Sequence, residues 1–154
     1  MPLRVLFVCT GNICRSPMAE AVFNHLASQR GLDVIADGAG VSNYHVGEPA
    51  DPRTISTLRS KGVAAPSRAR MVRSNDFAEF DHIVAMDASH YQALLQWNGS
   101  MPEKISMFLD WAGRPSESVP DPYYGGTEGF ERLYEMILDG VNYMLKRLAH
   151  EEVR

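Results

Sequence analysis

The chain has 154 residues, a formal net charge of −4 and 45% apolar residues. That length predicts one domain over residues 1–154 with a real core. The charge argues against a nucleic-acid binder, which usually carries a basic face, and no apolar run approaches the roughly 20 residues of a membrane span.

The first residues, Met1-Pro2-Leu3-Arg4, lack a charged region followed by an apolar stretch, so no signal peptide is expected. Two cysteines are too few for a disulfide scaffold, and a cytoplasmic location is the expectation. No CxxC occurs, and the five histidines lack the spacing of a ligand set. Neither a metal nor a cofactor is expected.

In chain order, residues 3–8 (LRVLFV) read as a buried strand. Ser16 is a good N-cap and Pro17 suits the first helical position. Met18, Ala21, Val22, His25 and Leu26 follow at helical spacing, and Gly31 stops the helix. Residues 34–36 form a short second strand. Gly38-Ala39-Gly40 begins like a dinucleotide fingerprint, but Asn43 takes the third glycine's place, which makes it a loop. Residues 51–61 predict a helix with Asp51 as its cap, 82–86 (HIVAM) a third strand, 89–97 a helix and 104–108 a fourth strand. The last helix is marked from Phe130 to Leu148 by apolar residues at i, i+3, i+4 and i+7. Gly140 sits inside it at a cost of ~1 kcal/mol relative to alanine. Strands alternating with helices predict an α/β fold with a parallel sheet.

The chemistry gathers in VLFVCTGNICRSPMAE, residues 5–20. In a parallel sheet ligands collect at the carboxyl ends of strands, and Cys9 follows the first strand directly. The turn from strand to helix leaves its N–H groups without partners. Gly11 and Asn12 tolerate left-handed backbone, which aims such groups inward as an anion nest. The helix N-terminus adds its dipole, and Arg15 adds a planar fork for two phosphate oxygens. Thr10, Gly11, Asn12, Ile13, Cys14 and Ser16 complete a cradle for a tetrahedral dianion over the Cys9 sulfur. The same features favour a thiolate, the attacking form, and Ser16 could donate to it. Taken singly, Cys9 reads as a small buried hydrophobe, Arg15 as a surface charge and Asn12 as a turn former; the combination is what points to chemistry.

CTGNICRS, residues 9–16, resembles the C-x5-R-S signature of the low-molecular-weight protein tyrosine phosphatases. Asp121-Pro122-Tyr123-Tyr124 is similar to that family's late DPYY motif, and residues 43–47 and 85–87 resemble further family segments. The resemblance implies a three-layer α/β/α sandwich with a central, four-stranded parallel sheet. It implies hydrolysis of phosphotyrosine and small aryl phosphates through a cysteinyl-phosphate intermediate. Cys9 would be the nucleophile, Arg15 and the loop amides would hold the phosphoryl group, and Asp121 would act as general acid and base. Asp-Pro also occurs at Asp51, and the residues alone do not choose between the two aspartates. Tyr44, Tyr123 and Tyr124 would line the cleft; without the resemblance the last two read equally as packing residues. Cys14 is either a core thiol or, as the resemblance implies, a protective partner for oxidised Cys9. The implied partners are phosphotyrosine-containing proteins, with inhibition by phosphate-like oxyanions, no nucleic acid, no membrane, and a monomer or weak dimer as the state. One departure is visible: some family members carry a histidine in the loop that holds Ser67 here.

Two rival readings differ in class. Thioredoxin-coupled arsenate reductases have a similar loop, but their relay needs further cysteines, and none follows Cys14. A non-catalytic phosphate-binding module would not need both Cys9 and Asp121.

Overall fold

The computed structural model describes residues 2–122 and 126–153. Four parallel strands form its sheet: β1 (Leu3–Cys9), β2 (Val34–Gly40), β3 (His82–Ala85) and β4 (Ile105–Met107), in the order β2-β1-β3-β4. Helices connect them: α1 (Arg15–Gln29), α2 (Pro52–Ser60), α3 (Asp76–Glu79), α4 (Ala88–Leu95), α5 (Phe108–Trp111) and α6 (Thr127–Val153). The arrangement is the expected three-layer α/β/α sandwich around a four-stranded parallel sheet.

The reason lies in β1. Val5 to Cys9 is buried throughout, as a central parallel strand with both faces covered must be. Alternate residues enter different cores. Val5, Phe7 and Cys9 pack with α1 and α6, including Phe23, Ile137 and Val141. Leu6 and Val8 join Phe77, Phe80 and Leu94 on the other face. Phe7 meets Phe23 and Phe108 edge-on, with ring centroids 5.7 and 6.0 Å apart.

β1 pairs with β2 on one side and β3 on the other, so the chain order switches direction beside it. A crevice opens at the carboxyl end of a parallel sheet at such a point, and Cys9 stands there, paired with Gly40.

Two expectations need correction. Gly38-Ala39-Gly40 is not loop but the end of β2, because β2 pairs along all seven residues of β1. A Cβ at Gly40 would sit 2.6 Å from the Thr10 carbonyl oxygen. The glycine therefore admits the backbone of residues 10–12, which lies against the end of β2. Ser16 is not the cap of α1. The cap position falls on Cys14, without a side-chain hydrogen bond, and Arg15 is the first helical residue. The Ser16 hydroxyl turns instead into the loop. Asp51 does cap α2, accepting from Arg53 N at 2.8 Å.

Gly140 has a packing reason. A methyl there would overlap the Phe108 ring, so the glycine lets α6 lie close over the start of α5. The short helices α3 and α5 were not expected, since four residues leave no period to detect.

Candidate active site

Three backbone contacts place the Cys9 end of β1. Val41 N donates to Cys9 O at 3.0 Å, Ser42 N to Thr10 O at 2.9 Å, and Asp51 N to Ile13 O at 2.8 Å. Between them the chain turns through Asn12 in the left-handed region, φ 57°. Asn12 is buried and its Oδ1 accepts from Ser16 Oγ at 2.6 Å. Ser16 Oγ also lies 3.0 Å from Cys9 Sγ. One hydroxyl proton cannot serve both acceptors. While it points at Asn12, the Cys9 thiol donates to Ser16; when Cys9 is a thiolate, that proton must swing to sulfur.

Arg15 is 4% exposed, and the structure gives its two terminal nitrogens different tasks. Nη1 donates to Asp87 Oδ2 and to Val119 O, both at 2.9 Å. Nη2 faces the cavity, 3.7 Å from Asp121 Oδ2 and 3.5 Å from His90 Nε2. Burial alone would raise the Asp87 carboxyl. Hydrogen bonds from Ser89 and the His90 amide, with His90 and Arg15 nearby, hold it down to about 2. Asp87 is thus the permanent counter-charge of Arg15.

A cavity of about 300 Å³ opens above this floor. Cys9, Thr10, Ile13, Cys14 and Arg15 line it on the loop side, Tyr44 and His45 on the wall, and Asp121 at the rim. Tyr44 is 79% exposed, a ring standing in solvent at the mouth. Asp121, distant in sequence, joins Cys9 and Arg15 here, whereas Asp51 caps its helix and is held below the usual range. Burial opposes that lowering, but hydrogen bonds from the Arg53 side chain and amide outweigh it. Burial pushes the Cys14 thiol up to about 12, helped by Asp51, Cys9 and Asp121. Tyr123 and Tyr124 lie outside the described residues.

Three supporting residues stand outside the candidate site read from sequence, although Asp87 lies in the 85–87 segment noted there. Asp87 and His90 lie at the start of α4 and reach Arg15 only through the fold; His90 reads from sequence as one more scattered histidine. Glu20 is 6% exposed on α1, and burial raises its carboxyl pKa. It accepts from Ser67 N at 3.0 Å and from Ser67 Oγ at 2.9 Å. Ser67 thus supports Glu20 as a hydrogen-bond donor without charge. A charged residue within the apolar face of α1 was the signal that could have found Glu20.

The model of the low molecular weight phosphotyrosine protein phosphatase family matches residues 4–154. A putative low molecular weight protein-tyrosine-phosphatase of Synechocystis is 41% identical, covering 98% of this chain and 99% of its own. The crystal structure of YfkJ from Bacillus subtilis is similar at TM-score 0.91 and 39% identity, over 99% and 98% of the two chains. A Drosophila arginine phosphatase follows at TM-score 0.86 and 35% identity, over 95% and 98%. With the signature loop, the sheet order and these similarities together, the chain belongs to the low molecular weight phosphotyrosine protein phosphatase family.

Proposed function

We propose that residues 1–154 form one catalytic domain that hydrolyses phosphotyrosine in proteins, and small aryl phosphates, at Cys9. One observation carries the reading: Cys9 Sγ lies at the floor of a cavity that Arg15 and Asp121 share, with those two 3.7 Å apart. The loop amides and Arg15 Nη2 would hold the equatorial phosphoryl oxygens, whose charge they match through the transition state. The Cys9 thiolate attacks phosphorus, the P–O bond to the tyrosyl oxygen breaks, and Asp121 gives that oxygen its proton. The resulting Asp121 carboxylate then takes a proton from water. The hydroxide attacks the phosphocysteine, and inorganic phosphate leaves as the thiolate returns.

Cys14 takes no part in hydrolysis, because a thiol held near 12 stays protonated at neutral pH. A protective role remains chemically open to it. Peroxide would oxidise Cys9 to the sulfenic acid, and condensation with the Cys14 thiol would form the disulfide and release water.

The Tyr44 ring and Ile13 favour a flat aromatic leaving group, and the depth of Cys9 favours the reach of phosphotyrosine over phosphoserine. The Drosophila relative makes phosphoarginine the specific competitor to test. Hydrolysis of phosphotyrosine and phosphoarginine peptides should be compared directly, with vanadate as inhibitor. The expected outcome is preference for phosphotyrosine, abolished in Cys9→Ser. Asp121→Ala should lose about 10²- to 10⁴-fold on aryl phosphates with alkyl-substituted phenol leaving groups, and much less when the leaving group needs no proton. Unchanged turnover in Cys9→Ser would sink the mechanism.

A further inference from the structure

His90 is a buried polar group that the proposed hydrolysis leaves without a task. It is the third residue of α4, has no exposed surface, and stands behind the phosphate loop. Its Nε2 lies 2.9 Å from Thr10 Oγ1 and 3.5 Å from Arg15 Nη2. Its Nδ1 lies 3.2 Å from both the Asp87 amide nitrogen and Asp87 Oδ1.

The partners of Nδ1 decide which nitrogen carries the ring proton. An amide N–H can only donate. Asp87 Oδ1 already accepts from the Ser89 hydroxyl at 2.6 Å and from the His90 amide at 3.0 Å. Nδ1 therefore accepts from the Asp87 amide, and Nε2 bears the proton. The ring is neutral: burial first, then the Arg15 charge, lower it to about 4 against the pull of Asp87 and Asp121.

We propose that His90 donates its Nε2 proton to Thr10 Oγ1 and thereby turns the Thr10 hydroxyl proton into the cavity, as an additional donor to the phosphoryl group. A hydroxyl has one proton. Were His90 the acceptor, Thr10 would present only lone pairs to an arriving dianion. With Nε2 as donor, the Thr10 proton is available to the anion. Arg15 Nη2 then finds no acceptor in His90, so it too is directed at the phosphoryl oxygens. Thr10, which lines the cavity, is the group that touches substrate; His90 is a positioning residue. The ligand in this scheme rests on the phosphatase reading, whereas the tautomer does not.

Nitrogen-15 NMR of the histidine-labelled protein at neutral pH reads the tautomer directly. The His90 resonances are assigned by their loss in His90→Leu, or in His90→Gln should the first variant not fold. A proton on Nε2 is expected, and a proton on Nδ1 overturns the proposal. Vanadate affinity and aryl phosphate kcat/KM are then measured for Thr10→Val, His90→Leu, His90→Gln and the Thr10→Val/His90→Leu double variant. Thr10→Val and His90→Leu should each weaken both readouts roughly tenfold or more, the value of one hydrogen bond to a charged group. The double variant should be no worse than either single one. His90→Gln, whose amide can still donate to Oγ1, should regain most of the loss. Unaltered vanadate affinity in Thr10→Val, or losses that multiply in the double variant, would contradict the scheme. Failure of the unaltered protein to hydrolyse phosphotyrosine would overturn the proposed function, while the tautomer and vanadate arms still decide this inference.

Discussion

Arg15 divides the contacts of its guanidinium between two sides, and the division predicts that lysine will not replace it. Nη1 is fastened to Asp87 and Val119, which in the proposed mechanism leaves Nη2 to meet the anion. An ammonium is a point charge on a flexible stem and cannot present this fork. Arg15→Lys should therefore lose roughly 10²-fold or more in kcat/KM on an aryl phosphate, while its circular dichroism stays that of the unaltered protein. Retention of more than half the activity would contradict the assignment. Asp87→Asn acts differently, because it leaves a buried cation with a weakened partner. Loss of about 2 kcal/mol in urea unfolding is expected, the scale of one hydrogen bond to a charged group, together with a raised KM for aryl phosphates. An Asp87→Asn protein as stable as the original would mean that Arg15 does not depend on this carboxylate.

At the scale of elements, close approach sets what each glycine does. Gly140 permits α6 to cross the Phe108 ring, and a methyl there would overlap it. Alanine is the better helix former by ~1 kcal/mol, yet overpacking costs about 1–3 kcal/mol. Gly140→Ala should therefore lower the Tm, and Phe108→Leu in the same chain should relieve the added strain; a raised Tm in the single variant would contradict the packing account. The strand–loop–helix from β1 to α1 is legible in the sequence because all its determinants are local: an apolar run, Asn12 where φ is positive, and Arg15 in the first helical turn. The start of α1 is less legible, since Ser16 has the composition of a cap but serves Asn12 and Cys9 instead. The length of β2 is hidden by its glycines, which look like loop until β1 lies beside them. Asp87 and His90 are not legible as site residues, because only the tertiary fold brings them to Arg15, and Glu20 leaves only the trace of a charged residue within the apolar face of α1. Asp121 is reached through its motif, and its 3.7 Å approach to Arg15 supplies the physical context that spacing alone could not.

Across the whole molecule, acid should act in two stages set by the same buried cluster. His90 is neutral in the fold, with its pKa lowered from 6.5 to about 4 by burial and then by Arg15. The unfolded chain thus binds a proton that the folded one refuses, so stability is full above about 6.5 and falls as pH drops towards 4. The loss across that window is on the order of 3 kcal/mol. Asp87 stays ionised there and gives up its contribution only as pH falls from 3.8 towards 2. Urea titrations at pH 7, 5 and 4 should show the first stage, and His90→Gln should flatten it; an equal decline in that variant would place the sensitivity elsewhere. Among the described residues no helix is long and apolar enough to cross a membrane. The central claim is that Cys9 carries the phosphoryl group during turnover. Rapid acid quench of the protein with an aryl phosphate, followed by peptide mass analysis, tests it most directly. The account predicts one phosphoryl group on the peptide containing Cys9, accumulating further in Asp121→Asn with an activated leaving group. Phosphate on another residue, or hydrolysis without any modified Cys9 peptide in a trap that detects it, would contradict the account.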